Sequence, residues 1–312
     1  MKALVTGGAG FIGSNLVDAL LSRGDAVTVV DDLSTGRRQN LDGALAAGAE
    51  LAELDIRDAA ALADVAKRSE PDVVFHLAAQ IDVRKSVLDP AFDAAINVGG
   101  TANVLEAARR ADCPRVVFVS TGGAIYGEGA GQALPLDEST PVAPLAPYGQ
   151  SKFAGEGYLA LYERLYGASG VSLRLGNVYG PRQDPLGEAG VIAIFCGRLL
   201  AGERPTVYGD GRQTRDYVYV GDVVAAILAA AGSRVSGPVN IGTGVETDVL
   251  ELARQLGDLG DGADFEPELA PPRPGEVQRI ALDAGRAERE LGWRAEVSLQ
   301  EGLKLTLDSL RT

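Results

Sequence analysis

The chain is poor in the residues that most often advertise chemistry. It has 312 residues but one histidine, His76, two cysteines, Cys113 and Cys196, one methionine and one tryptophan. A single histidine excludes a multi-histidine metal centre and admits a Ser-His-Asp triad only through His76. That residue ends the apolar run Val73-Val74-Phe75 and precedes Leu77-Ala78-Ala79. Such a setting suits a structural imidazole or a cleft wall better than a general base. Two distant cysteines form neither a disulfide framework nor a zinc knuckle, and they read as reduced thiols in a cytoplasmic protein. No apolar run nears the ~18 residues of a membrane span. Strand-like sequence from Lys2 onward leaves no room for a secretory signal. Positive charge is scarce too: 29 Lys and Arg against 43 Asp and Glu leave a net charge of −14. The chain therefore lacks the basic face that a nucleic acid demands, although arginines gathered locally could still hold a small anion.

What is present is an ordinary globular composition, 46% hydrophobic and 23% charged, in a chain long enough for two domains. The most informative stretch is the first thirteen residues, MKALVTGGAGFIG. The apolar run Ala3-Leu4-Val5 feeds Gly7, Gly10 and Gly13, and Leu16, Val17, Leu20 and Leu21 follow at helical spacing. A buried strand, a glycine turn and a helix start form a site for a nucleotide pyrophosphate. Three spaced glycines are weak evidence in a chain with 40 of them. A second β-branched run, 26–30, strengthens them by ending in Asp31, eighteen residues after Gly13. An acidic residue there is placed to bind the adenosine ribose hydroxyl of a dinucleotide. Asp31 would repel a 2′-phosphate, which favours NAD over NADP, although Arg37 and Arg38 lie near.

Strand and helix patterns then alternate: strands near 50–54, 72–75, 115–120 and 171–175, helices over 59–68, 90–110 and 148–166. This alternation predicts an α/β fold, a Rossmann-type doubly wound parallel sheet with helices on both faces. Ligands in such sheets sit at the carboxyl ends of strands. After residue 176 prolines and glycines become frequent and elements short, which predicts a smaller, loop-rich substrate domain over 177–312, partly interleaved with the first over 1–176. Asp222 before the apolar stretch 223–230 reads as the cap of a buried helix.

The chemistry centres on Tyr148 and Lys152, one helical turn apart. An unperturbed tyrosine titrates near ~10. A lysine one turn away and a positive nicotinamide ring would stabilise its phenolate and draw it toward working pH. With five lysines and 9 tyrosines, chance gives roughly 0.1 such pairs, so the motif is moderately specific. It opens the helix that follows a strand ending in Ser120-Thr121, where a hydroxyl could assist the reacting oxygen.

Together these motifs resemble the extended short-chain dehydrogenase/reductases, and within them the nucleotide-sugar epimerases of the UDP-glucose (UDP-galactose) 4-epimerase type. The resemblance covers essentially the whole chain. It rests on the glycine turn, Asp31-Asp32-Leu33-Ser34, Phe75-His76-Leu77-Ala78-Ala79, Tyr148-Gly149-Gln150-Ser151-Lys152, Asn177-Val178-Tyr179-Gly180-Pro181-Arg182, Arg215-Asp216-Tyr217-Val218 and Arg273-Pro274-Gly275-Glu276. It implies a tightly bound NAD, regenerated each turnover, that takes hydride from sugar C4 and returns it to the opposite face of a 4-keto sugar.

By resemblance Tyr148 is the base, meeting both cofactor and sugar, Lys152 its activator and a ligand of the cofactor ribose, and Thr121 the hydroxyl partner, with Ser120 the alternative. The cofactor would meet Gly7, Gly10, Phe11, Ile12, Gly13, Asp31, Asp32, Leu33, Ser34, Gly36, Asp55, Ile56, Leu77, Ala78, Ala79, Gln80, Asn97, Ser120, Leu175 and Val178. The UDP-sugar would meet Thr121, Gly122, Gly123 and Asn177, backbone at Gly190, Val191, Ile192, Thr206, Val207 and Tyr208, and the arginines Arg215 and Arg273, the latter steadied by Glu276. Arginine suits this work because its planar fork pairs with phosphate oxygens.

Departures from the pattern narrow the activity. Many relatives carry Ser or Thr where this chain has Gly122. The dehydratases and decarboxylases place acids just after the threonine, where Gly122-Gly123 stand here. Glucuronate epimerases tend to carry an arginine near Asp184, whose charge would repel a sugar carboxylate, so a neutral hexose is expected. Ile280 leaves an N-acetyl group undecided, and Arg182-Gln183-Asp184-Pro185 followed by Gly187 also occurs in some N-acetylhexosamine epimerases. UDP-N-acetylglucosamine or UDP-glucuronate epimerisation, or net nucleotide-sugar reduction or dehydration, are the alternatives. The resemblance also implies a homodimer packed through the helices at 90–110 and 148–166.

Overall fold

A computed structural model describes residues 1–185, 190–260, 265–272 and 277–311. Seven parallel strands form the central sheet: β1 (Lys2–Thr6), β2 (Ala26–Asp31), β3 (Glu50–Glu53), β4 (Val73–His76), β5 (Arg115–Thr121), β6 (Ser169–Leu175) and β11 (Gly237–Ile241). Their spatial order is β11-β6-β5-β4-β1-β2-β3. The inner strands are valine-rich and buried on both faces, as a parallel sheet requires. Helices Phe11–Ser22 and Val220–Ala231 cover one face, through Leu16, Val17, Leu20, Val223 and Ile227. Helices Ala59–Ser69 and Thr101–Arg110 cover the other, through Leu62, Val65, Val104 and Leu105. This is the doubly wound α/β fold that the alternating pattern predicts.

From β1 the chain winds outward to β2 and β3, then crosses back to place β4 on the other side of β1. The strand order therefore reverses between β1 and β4, and a ligand crevice opens at their carboxyl ends. Short strands β7 (Asn177–Tyr179) and β10 (Tyr217–Tyr219) pair in parallel beside it, and β9 (Thr214–Arg215) precedes β10. Residues 177–311 also build their own core around Phe195, Leu252, Leu256 and Leu303. Strand β11 nevertheless lies beyond residue 176 and pairs with β6 in the main sheet, and helix Val220–Ala231 packs on it.

Two local expectations change. The helix expected over 90–110 is continuous in path but contains one wide π turn, Ala95–Gly100, between helices Pro90–Ala94 and Thr101–Arg110. Asp222 is not a cap. The helix starts at Val220 after Tyr219, and the Asp222 carboxylate lies in its first turn, accepting N–H bonds from Glu296 and Val297 at 3.2 and 3.0 Å. The buried carboxylate docks the 293–297 segment, a tertiary role that the local pattern could not reveal. No helix among the described residues is long and apolar enough to cross a membrane.

Candidate active site

The glycine turn is tight enough to require glycine. Gly7 has φ +73°, and a Cβ there would lie 2.6 Å from the Ala78 backbone nitrogen across the β1–β4 crevice. A Cβ on Gly13 would lie 2.1 Å from the Gly7 carbonyl oxygen, so Gly13 lets the helix start sit on the end of β1. Gly10 precedes helix Phe11–Ser22, and no side chain caps that helix. The first-turn amides of Phe11, Ile12 and Gly13 thus form an electropositive cradle that fits a pyrophosphate.

At the end of β2, Asp31 is buried. Its carboxylate accepts N–H bonds from Ala9 and Leu33, each at 2.9 Å, and burial pushes its pKa above the usual range. Gly36 packs against it, since a Cβ there would come 2.7 Å from Asp31 Oδ1. Asp32 holds the Ser34 hydroxyl at 2.6 Å. Further along the same edge, Asp55 is engaged by the Arg57 guanidinium, which lowers its pKa, and the Ile56 side chain is buried against the Gly100 backbone. The Ile56 carbonyl is taken by Asn103. The loop after β4 carries Leu77, Ala78, Ala79 and Gln80, with Gln80 backbone N–H and C=O both bonded to the Asn97 amide in the π turn. Asp31, the glycine turn and Gln80 thus line one edge at the carboxyl ends of the strands, and their chemistry fits NAD.

Beyond it stand Thr121 at the end of β5 and Tyr148 and Lys152 in the first turns of helix Pro147–Tyr166. Thr121 lies close enough to Tyr148 for its side chain to draw the tyrosine's pKa down. The Ser120 hydroxyl points the other way and donates to Glu156 at 2.6 Å. Of the two hydroxyls that the sequence offers, that of Ser120 is engaged elsewhere and that of Thr121 acts on Tyr148. Lys152 is buried. Its ammonium donates to the Val119 carbonyl at 2.8 Å and lies over the Phe118 ring. Burial brings it down to about 8, opposed by the carboxylates of Asp93 and Glu156. Tyr148 moves the other way from the sequence expectation. Burial, then the Asp93 charge, push it up to about 12, with Thr121 pulling it back. Burial and Asp93 thus favour the neutral phenol, so the drop toward working pH calls for positive charge beside it, from Lys152 and from a bound nicotinamide ring.

The other residues expected from the sequence lie around this centre. Leu175 is buried at the end of β6 and Val178 half-buried in β7. Asn177 opens β7, its backbone N–H bonded to the Asp216 carbonyl. Gly122 starts a short turn of helix, and a Cβ there would come 2.4 Å from Leu282 Cδ1, which explains the missing hydroxyl side chain. Gly123 faces Asn177, whose Oδ1 would be 3.4 Å from a Cβ. Gly190 precedes the uncapped helix Val191–Leu200, with Val191 half-buried and the Ile192 side chain in the core, which leaves backbone for a ligand. Thr206, Val207 and Tyr208 form strand β8, with Val207 buried. Arg215 is half-buried and bonds the Thr214 carbonyl. Arg273, Glu276 and Gly187 lie outside the described residues.

Two specificity arguments change. Asp184 is paired with Arg37 at 2.6 Å, so its charge is neutralised locally and no longer argues against a uronate. Ile280 is buried beside Ile125, Tyr126, Leu136 and Leu282 and acts as core. His76 is wholly buried and structural. Thr101 gives its hydroxyl hydrogen to the Asn97 carbonyl at 2.7 Å, so the 2.9 Å contact to His76 must be donated by Nε2–H. Nδ1 then accepts from Thr6 at 2.7 Å, and burial depresses the imidazole to about 3.

The sequence reading passed over a buried network behind the site. Glu156, two helical turns from Tyr148, forms a bidentate pair with Arg174, which also donates to the Tyr126 hydroxyl. The signal was available: Tyr148, Lys152 and Glu156 recur every four residues and so share one helix face. Asp93 was also missed, and nothing in its local sequence marks it.

Residues 3–242 match the family described as NAD dependent epimerase/dehydratase. A UDP-glucose 4-epimerase of Mycolicibacterium smegmatis is 49% identical over 100% of this chain and 99% of its own length. The crystal structure of UDP-glucose 4-epimerase from Thermotoga maritima with UDP-glucose superposes with a TM-score of 0.95 at 46% identity, covering 100% of this chain and 99% of that one. The Thermus thermophilus UDP-glucose 4-epimerase in complex with NAD gives 0.93 at 45% identity, covering 100% and 99%. With a glycine cradle shaped for a dinucleotide and matches that run from end to end, this chain belongs to the NAD-dependent epimerase/dehydratase family.

Proposed function

We propose that the protein is a UDP-hexose 4-epimerase that interconverts UDP-glucose and UDP-galactose through a 4-keto sugar. The observation that carries the reading is the grouping of Thr121 at the end of β5 with Tyr148 and Lys152 in the first turns of one helix, at the carboxyl end of the sheet and with no acid next to Thr121 in the chain. NAD held by these residues would supply the hydride acceptor for sugar C4 and the donor that returns it to the opposite face. Tyr148 removes the C4 hydroxyl proton and later gives it back. Thr121 orients the reacting oxygen, and Lys152 supplies the positive charge that stabilises the phenolate. Asp31 accepts from the adenosine ribose, and the amides of Phe11, Ile12 and Gly13 hold the pyrophosphate. Asn177, Arg215 and the backbone around Gly190 and Thr206 hold the UDP, with Arg273 and Glu276 completing that set.

Gly122, backed by Leu282, leaves no room for the second acid that elimination chemistry would use. The exposed apolar side chains Val87, Leu88, Phe153, Leu165 and Tyr166 support a homodimer, which analytical ultracentrifugation tests. Free, buried Cys113 and Cys196 suit the cytoplasm.

The test is separate incubation with UDP-glucose, UDP-N-acetylglucosamine and UDP-glucuronate, reading C4 configuration by NMR. Interconversion of UDP-glucose without added NADH is expected. Tyr148→Phe should bind UDP-sugar normally and lose turnover. A Tyr148→Phe protein with most of its turnover would refute the proton-transfer role.

A further inference from the structure

Asp93 is an unusual charge. It has 0% exposure, and its carboxylate is held by neutral donors alone: Gln80 Nε2 at 2.9 Å and Asn97 Nδ2 at 3.0 Å on one oxygen, Ser151 Oγ at 2.5 Å on the other. Each donor belongs to a different wall of the site. Gln80 lies on the loop after β4, Asn97 in the π turn, and Ser151 is the residue before Lys152. A buried carboxylate is costly unless a positive charge balances it. The nearby buried cation is Lys152, whose own contacts are a carbonyl and an aromatic ring.

We propose that Asp93 is a positioning residue for the reaction. Its carboxylate staples the helix carrying Tyr148 and Lys152 to the cofactor loop and the π turn, and sets a buried negative charge against Ser151, the residue before Lys152. The inference rests on the proton-transfer role assigned above to Tyr148 and Lys152.

The other charges around the pair are already matched. Glu156 is engaged by Arg174, and His76 is neutral. Asp82 and Asp89 accept backbone N–H groups at the starts of their helices, and Lys85 lies over the Phe92 ring. Asp93 is therefore the charge that acts on both reacting groups. It raises Lys152 against burial, more than Glu156 does, and it also opposes ionisation of Tyr148. Opposite effects on rate come from one source: the ammonium is favoured, at the expense of a less acidic phenol.

The full-length protein with its bound cofactor serves for the experiment. Phenolate absorbance near 295 nm is titrated in the wild type and in Asp93→Asn, each as the difference from the same background carrying Tyr148→Phe. The kcat–pH profile with UDP-glucose is measured in parallel. Removing the negative charge should move the Tyr148 midpoint down by about one pH unit. Both limbs of the kcat profile should shift acidward together, because Lys152 loses its proton earlier as well. Ser151→Ala keeps the charge but loosens the staple, so its midpoints should stay while kcat falls roughly tenfold.

An Asp93→Asn midpoint that stays put or moves to higher pH overturns the charge role. Wild-type kcat in Ser151→Ala overturns the staple. Asp93→Ser, which leaves room for water among the three donors, carries the charge test if the asparagine variant does not fold. A protein that does not epimerise UDP-glucose would sink the proposed activity, yet the absorbance titration would still decide the role of Asp93.

Discussion

Between pH 7 and 5, acidification should destabilise this protein chiefly through His76, since carboxylates with depressed values act only at lower pH. In the unfolded chain its imidazole titrates near ~6.5, whereas in the fold it is held neutral down to about 3. Because the folded value lies below the unfolded one, the contribution is full above pH ~6.5 and is lost progressively as pH falls toward 3. With 1.36 kcal/mol per pH unit, the step from pH 7 to pH 5 costs about 2 kcal/mol. The chain has no second histidine to blur that window. Buried carboxylates with raised pKa values, Asp31, Asp216 and Asp222, act in the opposite sense at lower pH. The assay is therefore differential. Urea unfolding of wild type and His76→Gln is compared at pH 7, 6 and 5, and the stability advantage of the wild type should shrink by about 2 kcal/mol across that range. Imidazole NMR gives a direct check, since the one ring should show a protonated Nε2 and no titration between pH 7 and 5. A stability difference that is constant with pH, or a ring that titrates near 6, would refute the reasoning.

Three further outcomes follow from the geometry. Thr121→Val should slow turnover about 100-fold, while Ser120→Ala, whose hydroxyl is turned to Glu156, should keep kcat within a few-fold, as read by coupled assay. Gly13→Ala drives a Cβ into the Gly7 carbonyl, so the purified variant should lose its bound NAD, seen as a drop in the 260 to 280 nm absorbance ratio. Glu156→Ala leaves the Arg174 guanidinium buried without its carboxylate and should cost about 3–5 kcal/mol in urea denaturation; a smaller loss would mean that Tyr126 and water suffice as partners.

Local features of the fold were legible because their causes are local. The β1 run, the glycine turn and Asp31 lie within thirty-one residues, and glycine spacing reports directly on backbone crowding. Tyr148 and Lys152 were equally readable, since one helical turn fixes their separation. Strand β11 was not: its register partner β6 ends over sixty residues earlier, and only the three-dimensional sheet joins them. Asp184 likewise meets Arg37 across 147 positions, which no pattern in either segment announces. Asp222 misled because an acidic residue before an apolar run looks the same whether it caps a helix or sits in its first turn. Asp93 escaped notice because its meaning comes from Gln80, Asn97 and Ser151, whose convergence exists only after folding.

The Gly122–Leu282 contact sets the order in which this scaffold could acquire a different chemistry. An aspartate introduced at 122 alone would press on a leucine with 0% exposure, in a cluster with Ile125, Tyr126 and Ile280. Leu282 would have to shrink first, and Leu282→Ala by itself opens a void costing about 2–5 kcal/mol. The two substitutions are therefore epistatic, each harmful alone and compatible only together. A laboratory evolution aimed at elimination chemistry should find the pair or neither.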